Sequence, residues 1–213
     1  METKETTRLE MFSDGVFAIA ITLLILEIKV PHISSIHSNA DLRHELGRLW
    51  PSYFAFVLTF GFILVAWICH HALFNLVDKI SPQFIYANGF LLLNIVFLPF
   101  PTATLAEYIV SESTQTAVVV YWSCFFITGI SWNFLYHFAL KPHPLVKEKT
   151  AIDALKTMQK NARYAIMVNA VLTVLALWFP LISLSINAVL WLFWIKESGK
   201  MLRQKKSSLP GSP

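Results

Sequence analysis

Long apolar runs that contain no charged residue constrain this chain more than any other feature of its sequence. The first run extends from Gly15 to Leu26 and directly follows a polar stretch that contains Arg8, Glu10 and Asp14. Overall, 55% of the residues are hydrophobic and 14% are charged, whereas about a quarter of the residues in a soluble domain are charged. The sequence therefore predicts an all-α integral membrane protein without room for a separate soluble domain.

Six segments are long and apolar enough, or nearly so, to cross a hydrocarbon core about 30 Å thick as helices. These segments are Phe12–Ile28, Trp50–Leu76, Phe84–Leu105, Thr116–Leu140, Tyr164–Phe179 and Leu181–Ile195. Pro180 interrupts the apolar stretch between the last two, and proline disrupts a helix. This interruption predicts a tight hairpin of two short spans, with a single kinked span as the alternative.

The distribution of Lys and Arg predicts the orientation of the spans. With a cytoplasmic N-terminus, fourteen of the seventeen basic residues lie inside, and only Lys29, Arg43 and Arg48 lie outside. The positive-inside rule then favours six spans, with both termini in the cytoplasm of a multi-pass cell-membrane protein. Orientation in the lipid bilayer explains the net charge of +4, so we predict no nucleic-acid partner. Residues 1–200 form one transmembrane domain, and residues 201–213 form a cytoplasmic tail that is predicted to be disordered.

The basic segment before the fifth span has two interpretations. Ile152, Leu155 and Met158 recur at helical spacing, which is typical of an amphipathic helix on the cytoplasmic headgroups. The alternative is a cytoplasmic extension of the fifth helix.

Polar residues at membrane depth need partners, because an acid there costs about 2.5–3.5 kcal/mol on insertion scales. Asp14 is the clearest case. In one interpretation Ser13 or Asp14 caps the first helix and lies at the headgroups. In the other, Arg8, Met11 and the residues after them are already helical, and Asp14 lies nearly two turns inside.

The second span offers partners for such an acid. Trp67, His71 and Asn75 share one helix face, whereas His70 points about 100° away. Adjacent histidines on a straight helix cannot both bind one metal ion, so no metal site and no cofactor is predicted. A hydrogen bond from Trp67 or His71 to an acid on another helix is the more economical hypothesis. In the third span, Asn94 is predicted to bond between helices.

A stripe of apolar residues follows the first span at helical spacing: Ile19, Leu23 and Leu26, with Thr22 beside it. In a single subunit such a stripe is ordinarily a packing surface. In a symmetric oligomer the same stripe could face the axis and form a narrow apolar constriction that gates by dewetting. Glu27 would then add a ring of negative charge at the outer mouth.

The sequence resembles the transmembrane protein 175 family, which comprises the lysosomal potassium channel and its bacterial relatives. The segment "RLEMFSD" matches the Arg-x-x-x-Phe-Ser-Asp signature of that family, and "GVFAIAITLLILEIKVP" and "LLLNIVFLPFPTATL" extend the match. The resemblance implies six helices per repeat and four repeats around an axis lined by the first helices. Because Phe-Ser-Asp occurs once, it implies a single-repeat bacterial type that forms a homotetramer.

The same resemblance implies roles for individual residues. Ile19 falls on the pore isoleucine of the family, and Leu23 and Leu26 fall on further apolar rings. Thr22 matches a pore-facing threonine that contributes to potassium preference in some members. A second group is implied to fix the rotation of the pore helix by packing and hydrogen bonding within the subunit. This group consists of Arg8, Phe12, Ser13, Asp14, Trp67, His71 and Asn94.

Together these expectations favour a passive channel for potassium and other monovalent cations, with modest potassium selectivity and no enzymatic activity. A proton-coupled transporter that uses Asp14 and His71 is the first alternative. A membrane enzyme that uses His70, His71 and Asp78 is the second.

Overall fold

The computed structural model describes residues 2–32, 36–140, 145–146, 149–186 and 189–190, and everything that follows refers to them. These residues are helical over most of their length. The helices are α1 (Glu2–Leu23), α2 (Asn39–Arg48), α3 (Trp50–Phe74), α4 (Pro82–Phe97), α5 (Pro99–Tyr108), α6 (Thr114–Leu140) and α7 (Lys149–Ala176). A short 3-10 segment, Leu24–Glu27, continues α1.

The helices pack in a fixed order from one side of the subunit to the other. Helix α1 contacts α3 and α4, α3 contacts α5, and α6 contacts α4, α5 and α7. Large buried side chains fill the interior, among them Phe17, Phe84, Tyr121 and Trp122. Helix α1 therefore lies at one edge of the bundle, and α7 packs on the far side of α6.

Four helical stretches in the described part of the chain are long and apolar enough to cross a membrane. They are Glu5–Glu27, Trp50–Phe74, Pro82–Tyr108 and Thr114–Leu140. They correspond to the first four predicted spans and make the protein a multi-pass membrane protein. Seven of the fifteen residues of the sixth predicted segment, and the tail 201–213, lie outside the described residues. Helix α7, which contains most of the fifth predicted span, is not among the four stretches, so the total of six spans stays a prediction.

The third span bends where α4 ends and α5 begins. Pro99 has no N–H to donate, so the helical hydrogen-bond ladder is interrupted there, and the Leu98 amide donates to the Ile95 carbonyl at 3.2 Å. The Thr102 hydroxyl donates to the Leu98 carbonyl at 2.7 Å. It therefore accepts from Thr59 of α3 at 2.8 Å. Thr59 in turn accepts from the Tyr121 hydroxyl of α6 at 3.1 Å, so three helices are tied together at the bend.

Helix α7 is longer than the fifth predicted span. It begins at Lys149 and has 28 residues, which makes it about 42 Å long. The segment before Tyr164 is therefore a continuous extension of the fifth helix, and the separate headgroup helix is wrong. Leu155 and Met158 are buried in this extension, because its apolar face packs against the bundle.

The chain reverses direction after α7. Helix α7 ends at Ala176, and residues 180–186 are helical again, beginning with Pro180. Proline is well suited to the first turn of a helix because the N–H that it lacks has no helical partner there. Leu190 lines the same cavity as Val168 and Asn169 of α7, so the chain lies beside α7 again at that residue; a hairpin of two separate spans stays a prediction.

Helices α6 and α7 approach closely at Gly129. A Cβ atom at this position would lie 2.9 Å from Ile166 Cγ1 and 3.7 Å from Ile166 Cα, whereas one at Gly89 in α4 would meet nothing within 4 Å. We expect Gly129→Ala to destabilise the fold by about 1–3 kcal/mol, the usual cost of overpacking. Thermal unfolding in detergent would show this as a lowered Tm, and Gly89→Ala, the control, should leave the Tm unchanged or raised. An equal rise of the Tm in Gly129→Ala and Gly89→Ala would contradict the close packing at Gly129.

The loop helix α2 carries a pH-sensitive cap. The Ser38 hydroxyl, and next the backbone N–H of His37, hold the pKa of the Asp41 carboxyl below its ordinary value. Because the folded pKa is lowered, the stabilisation is present above the unfolded value of about 3.9 and is lost as the pH falls through the folded pKa. We expect the NMR shift of the His37 amide, 3.1 Å from Asp41 Oδ2, to titrate below pH 4 and to stay constant in Asp41→Asn.

Candidate functional site

One face of α1 is buried against the rest of the subunit. Ser13, Phe17, Ala20 and Leu24 follow one another at steps of four, three and four residues, and each is at most 2% exposed. This spacing places them on one side of a helix, and that side meets α3 and α4.

The opposite face of α1 is apolar and uncovered. Phe12, Ile19, Leu23 and Leu26 are exposed by 63%, 59%, 40% and 61% of their surface, and Thr22 between them is also exposed. The Thr22 hydroxyl donates to the carbonyls of Ala18 and Ile19 at 3.0 and 2.9 Å. We call these five residues the α1 stripe.

Two polar contacts hold α1 to α3. Trp67 Nε1 donates to Asp14 Oδ1 at 2.9 Å, and His71 Nδ1 lies 3.0 Å from Glu10 Oε1. Glu10 and Asp14 are four residues apart on α1, and Trp67 and His71 are four residues apart on α3. The two helices run in opposite directions. The contacts therefore form two successive rungs between the helices, and the Trp67 and His71 rings stack at 6.1 Å between centroids. Rotation of α1 about its axis would break both rungs.

A second polar connection joins α1 to α3 and α4 in the core. Asn88 of α4 donates through Nδ2 to Ser13 Oγ at 2.9 Å, and its Oδ1 lies 2.8 Å from His70 Nε2. Because an amide oxygen can only accept, His70 carries its proton on Nε2. The Ser13 hydroxyl donates to the Leu9 carbonyl at 2.8 Å. We call Ser13, Asn88 and His70 the buried chain; all three are at most 1% exposed.

The structure brings some of the predicted anchor residues together and separates others. Phe12 is exposed on the α1 stripe instead of packed against the subunit, because it lies about 100° around the helix from Ser13. Asn94 donates to Ser131 Oγ of α6 at 3.0 Å and does not reach Asp14. Arg8 is exposed, and no hydrogen bond or ion pair joins it to another described residue.

The helix-cap interpretation of Asp14 is wrong. Helix α1 begins at Glu2, so Asp14 lies about three turns inside it. The Asp14 carboxylate accepts a hydrogen bond from Trp67 of α3 there, and not from the backbone N–H groups of a helix end.

Two residues of these contacts, Glu10 and Asn88, are not predicted from the sequence. Glu10 lies in the polar stretch before the first span, four residues before Asp14 on the face that meets α3. Asn88 lies in an apolar run and was not singled out. Its position one residue before Gly89, and six before Asn94, gave no signal of its contact with Ser13.

Glu27 lies at the other end of α1, in a cleft of about 350 Å³ that is also lined by Ser52, Thr104 and Glu107. The Lys29 ammonium donates to the Leu26 carbonyl at 2.9 Å. Lys29 lines the same cleft as Glu27, and the role of Glu27 at an outer pore mouth stays a prediction.

The histidines of α3 do not converge on a common ligand position. His70 faces Asn88, and His71 faces Glu10. Within the described ranges, no three His, Cys, Asp or Glu side chains are grouped so that they could hold a metal ion. Asp14 and His71, the titrating groups of the transporter alternative, bond to two different partners.

Comparison with known proteins gives a consistent result. The family model described as endosomal/lysosomal potassium channel TMEM175 matches residues 8–99. A potassium channel of Chamaesiphon minutus is 44% identical over 163 residues, which are 76% of this chain and 80% of the relative. The endosomal/lysosomal proton channel TMEM175 of Danio rerio is 23% identical over 95% of this chain and 39% of its own.

Solved structures show the same fold. The crystal structure of a lysosomal potassium-selective channel TMEM175 homologue from Chamaesiphon minutus has a TM-score of 0.82 and 38% identity, covering 92% of this chain and 98% of that one. The potassium channel MtTMEM175, bound to a nanobody fusion, has a TM-score of 0.63 at 19% identity, with 94% of each chain covered.

Proposed function

We propose that this chain, which belongs to the TMEM175 family, forms a passive, potassium-permeable cation channel in the cell membrane. Four copies surround a central axis, and the α1 stripe of each copy faces it. Both termini lie in the cytoplasm, as the basic residues favour. The relatives named potassium channels support the permeant ion.

The observation that carries this proposal is the uncovered α1 stripe. Helix α1 lies at an edge of the subunit and is held there by α3 and α4. Its apolar side chains point away from the subunit, so a symmetric assembly can bring the stripes of several copies together.

The stripe has the chemistry of a narrow, gated pore. Rings of Ile19, Leu23 and Leu26 exclude water when they close, which blocks ions without a moving plug. A bare ion within an apolar ring is unstable, so ions pass hydrated after a slight widening. Thr22 provides a hydroxyl between the rings and supports a modest preference for potassium. Glu27 attracts cations at the outer mouth.

The polar contacts behind the stripe keep it aimed at the axis. Asp14 and Glu10 hold α1 to α3 at two positions one helical turn apart, and the buried chain holds α1 to α4. Asp14 is in this view a structural anchor and not an ion ligand. The transporter alternative gains no support, because Asp14 bonds to Trp67 and His71 bonds to Glu10 instead of to each other.

Flux from proteoliposomes tests the proposal. We expect potassium to leave vesicles down its gradient, faster than sodium down an equal gradient, and to reverse when an ionophore sets the opposite membrane voltage. The flux should need no pH gradient. Strict dependence on an imposed proton gradient would favour the transporter instead.

Cross-linking tests the arrangement of the copies separately. In a Cys69→Ala, Cys124→Ala background, we expect Leu26→Cys to form covalent dimers on mild oxidation in membranes, because equivalent residues meet near the axis. Val171→Cys is the matched control, since its side chain is equally exposed but lies on α7. Cross-linking at Val171 and not at Leu26 would place α1 outside the assembly axis.

A further inference from the structure

A cleft lies between α3, α6 and α7, away from α1; its cavity volume is about 130 Å³, and it is open to the outside of the bundle. Its walls are largely apolar and include Phe62, Phe125, Ala165, Val168 and Leu190. The small residues Ala66 and Ala162 line it as well, and they leave room that larger side chains would fill. The cavity belongs neither to the α1 stripe nor to the contacts that hold it.

Three polar side chains of this cavity have no partner in the described part of the chain. They are Trp132, Tyr136 and Asn161. Trp132 is 8% exposed and Tyr136 is 3% exposed, yet neither the indole N–H nor the phenol is among the fully enclosed unpaired atoms. Their polar atoms therefore retain contact with the cavity.

The other buried aromatic donors in the described part of the chain, Tyr121 and Trp122, are satisfied, and so is the partly exposed Trp67. Tyr121 bonds to Thr59, Trp122 donates to Ser183 at 3.0 Å, and Trp67 donates to Asp14. Buried Tyr and Trp side chains usually find such a partner, and a buried donor without one is costly. Trp132 and Tyr136 thus differ from the rest of the bundle in a way that indicates a bound molecule.

The donors define the chemistry of that molecule. The indole N–H, the phenol O–H and the amide of Asn161 can each donate to an oxygen acceptor. No Lys or Arg side chain is among the described residues that line the cavity, so nothing in the described lining would offset the cost of burying a carboxylate. An uncharged carbonyl oxygen fits this environment.

The shape of the cavity adds an apolar chain to the carbonyl. Tyr136 lies four residues before the end of α6 at Leu140, and Phe125 lies eleven residues earlier, about 16 Å along the axis. The donors Trp132, Tyr136 and Asn161 are thus at one end, and aromatic and aliphatic side chains line the remainder. A membrane supplies glycerol esters, which combine an uncharged carbonyl with a long acyl chain.

We propose that this cavity binds an uncharged, carbonyl-bearing lipid of the glycerol-ester class. The ester carbonyl accepts from Tyr136 and Trp132, and the acyl chain lies against Phe62, Phe125 and Val168. The site does not depend on the proposed channel function, because none of its residues belongs to α1.

Photolabelling of the purified, reconstituted protein tests the proposal. The probe is a monoacylglycerol with a diazirine on its acyl chain, and the labelled peptides are located by mass spectrometry. We expect labels on α6 and α7 that excess 1-monooleoylglycerol displaces. Hexadecane, which lacks the carbonyl, and oleate at alkaline pH, which is charged, should displace them much less.

Variants separate the two halves of the site. Ala165→Phe should abolish labelling by filling the cavity, and Tyr136→Phe should weaken probe affinity about fivefold by removing one hydrogen bond. Tyr164→Phe is the control, because that phenol is exposed and does not line the cavity. Each variant is first checked for an unchanged elution volume and Tm, and Ala162→Leu replaces Ala165→Phe if the latter does not fold.

Two results would overturn the proposal. Undiminished labelling in a folded, cavity-filled variant would show that the probe binds elsewhere. Equal competition by hexadecane and 1-monooleoylglycerol, with no effect of Tyr136→Phe, would show an apolar void without carbonyl recognition.

Discussion

Ile19→Asn should raise potassium flux about tenfold or more and reduce the preference for potassium over sodium. In the proposed tetramer, four Ile19 side chains form the inner apolar ring, and an ion must cross it without protein ligands. Asparagine replaces each apolar surface with an amide that can hydrate the ion and its water. A fall of only about 1.4 kcal/mol in the barrier gives a tenfold increase in rate, and a wetted, wider ring discriminates less between the two ions.

The measurement is flux from proteoliposomes that contain equal amounts of folded protein. Ile127→Asn is the matched control, because Ile127 is also an exposed isoleucine but lies on α6. We expect its flux to equal that of the unaltered protein. Unchanged flux in Ile19→Asn would remove Ile19 from the gate, and an equal increase in both variants would indicate a general membrane leak.

Asn88→Leu should strongly destabilise the subunit. Asn88 accepts from His70 and donates to Ser13, and all three residues are buried. Leucine has a similar volume but cannot form either bond. The Nε2–H of His70 and the acceptor position of Ser13 Oγ would then be buried without partners, at a cost of about 1–3 kcal/mol each. His70 Nδ1 already lacks a partner in the described structure, so the imidazole would lose its last one.

Thermal unfolding of the purified protein would measure this loss as a lowered Tm. Asn133→Leu is the control, because the Asn133 amide donates only to the Gly129 carbonyl of its own helix, at 3.0 Å. We expect that variant to unfold near the Tm of the unaltered protein. A smaller decrease of the Tm in Asn88→Leu than in Asn133→Leu would argue against the buried chain as the support of α1.

The contacts of α1 show where prediction from sequence succeeds and where it stops. Spacing placed Trp67 and His71 on one face of α3 and suggested acidic partners on another helix. The structure supplies Asp14 and Glu10. The resemblance to the family grouped Arg8 and Asn94 with them, but Asn94 lies on the side of α4 that faces α6 and donates to Ser131. Distances between helices depend on packing angles, which the spacing within one helix does not contain.

The apolar stripe shows a second limit. Helical periodicity alone grouped Ile19, Leu23 and Leu26 on one face, because side chains three or four residues apart lie above one another. The same period is compatible with a core face and with an exposed one. Only the packed bundle decided that Ser13, Phe17 and Ala20 face inward, and that Phe12 joins the stripe. Whether the stripe lines a pore stays a prediction.

The sequence by itself determined the membrane class, the first four spans and the position of the break at Pro180. These features depend on local composition: charge-free length, helical period and the missing N–H of proline. The tertiary structure alone decided that α7 begins at Lys149, that Asn88 joins Ser13 to His70, and that Trp132 and Tyr136 face an open cavity. Those features depend on which side chains meet across helices, and such contacts are fixed only when the helices pack together.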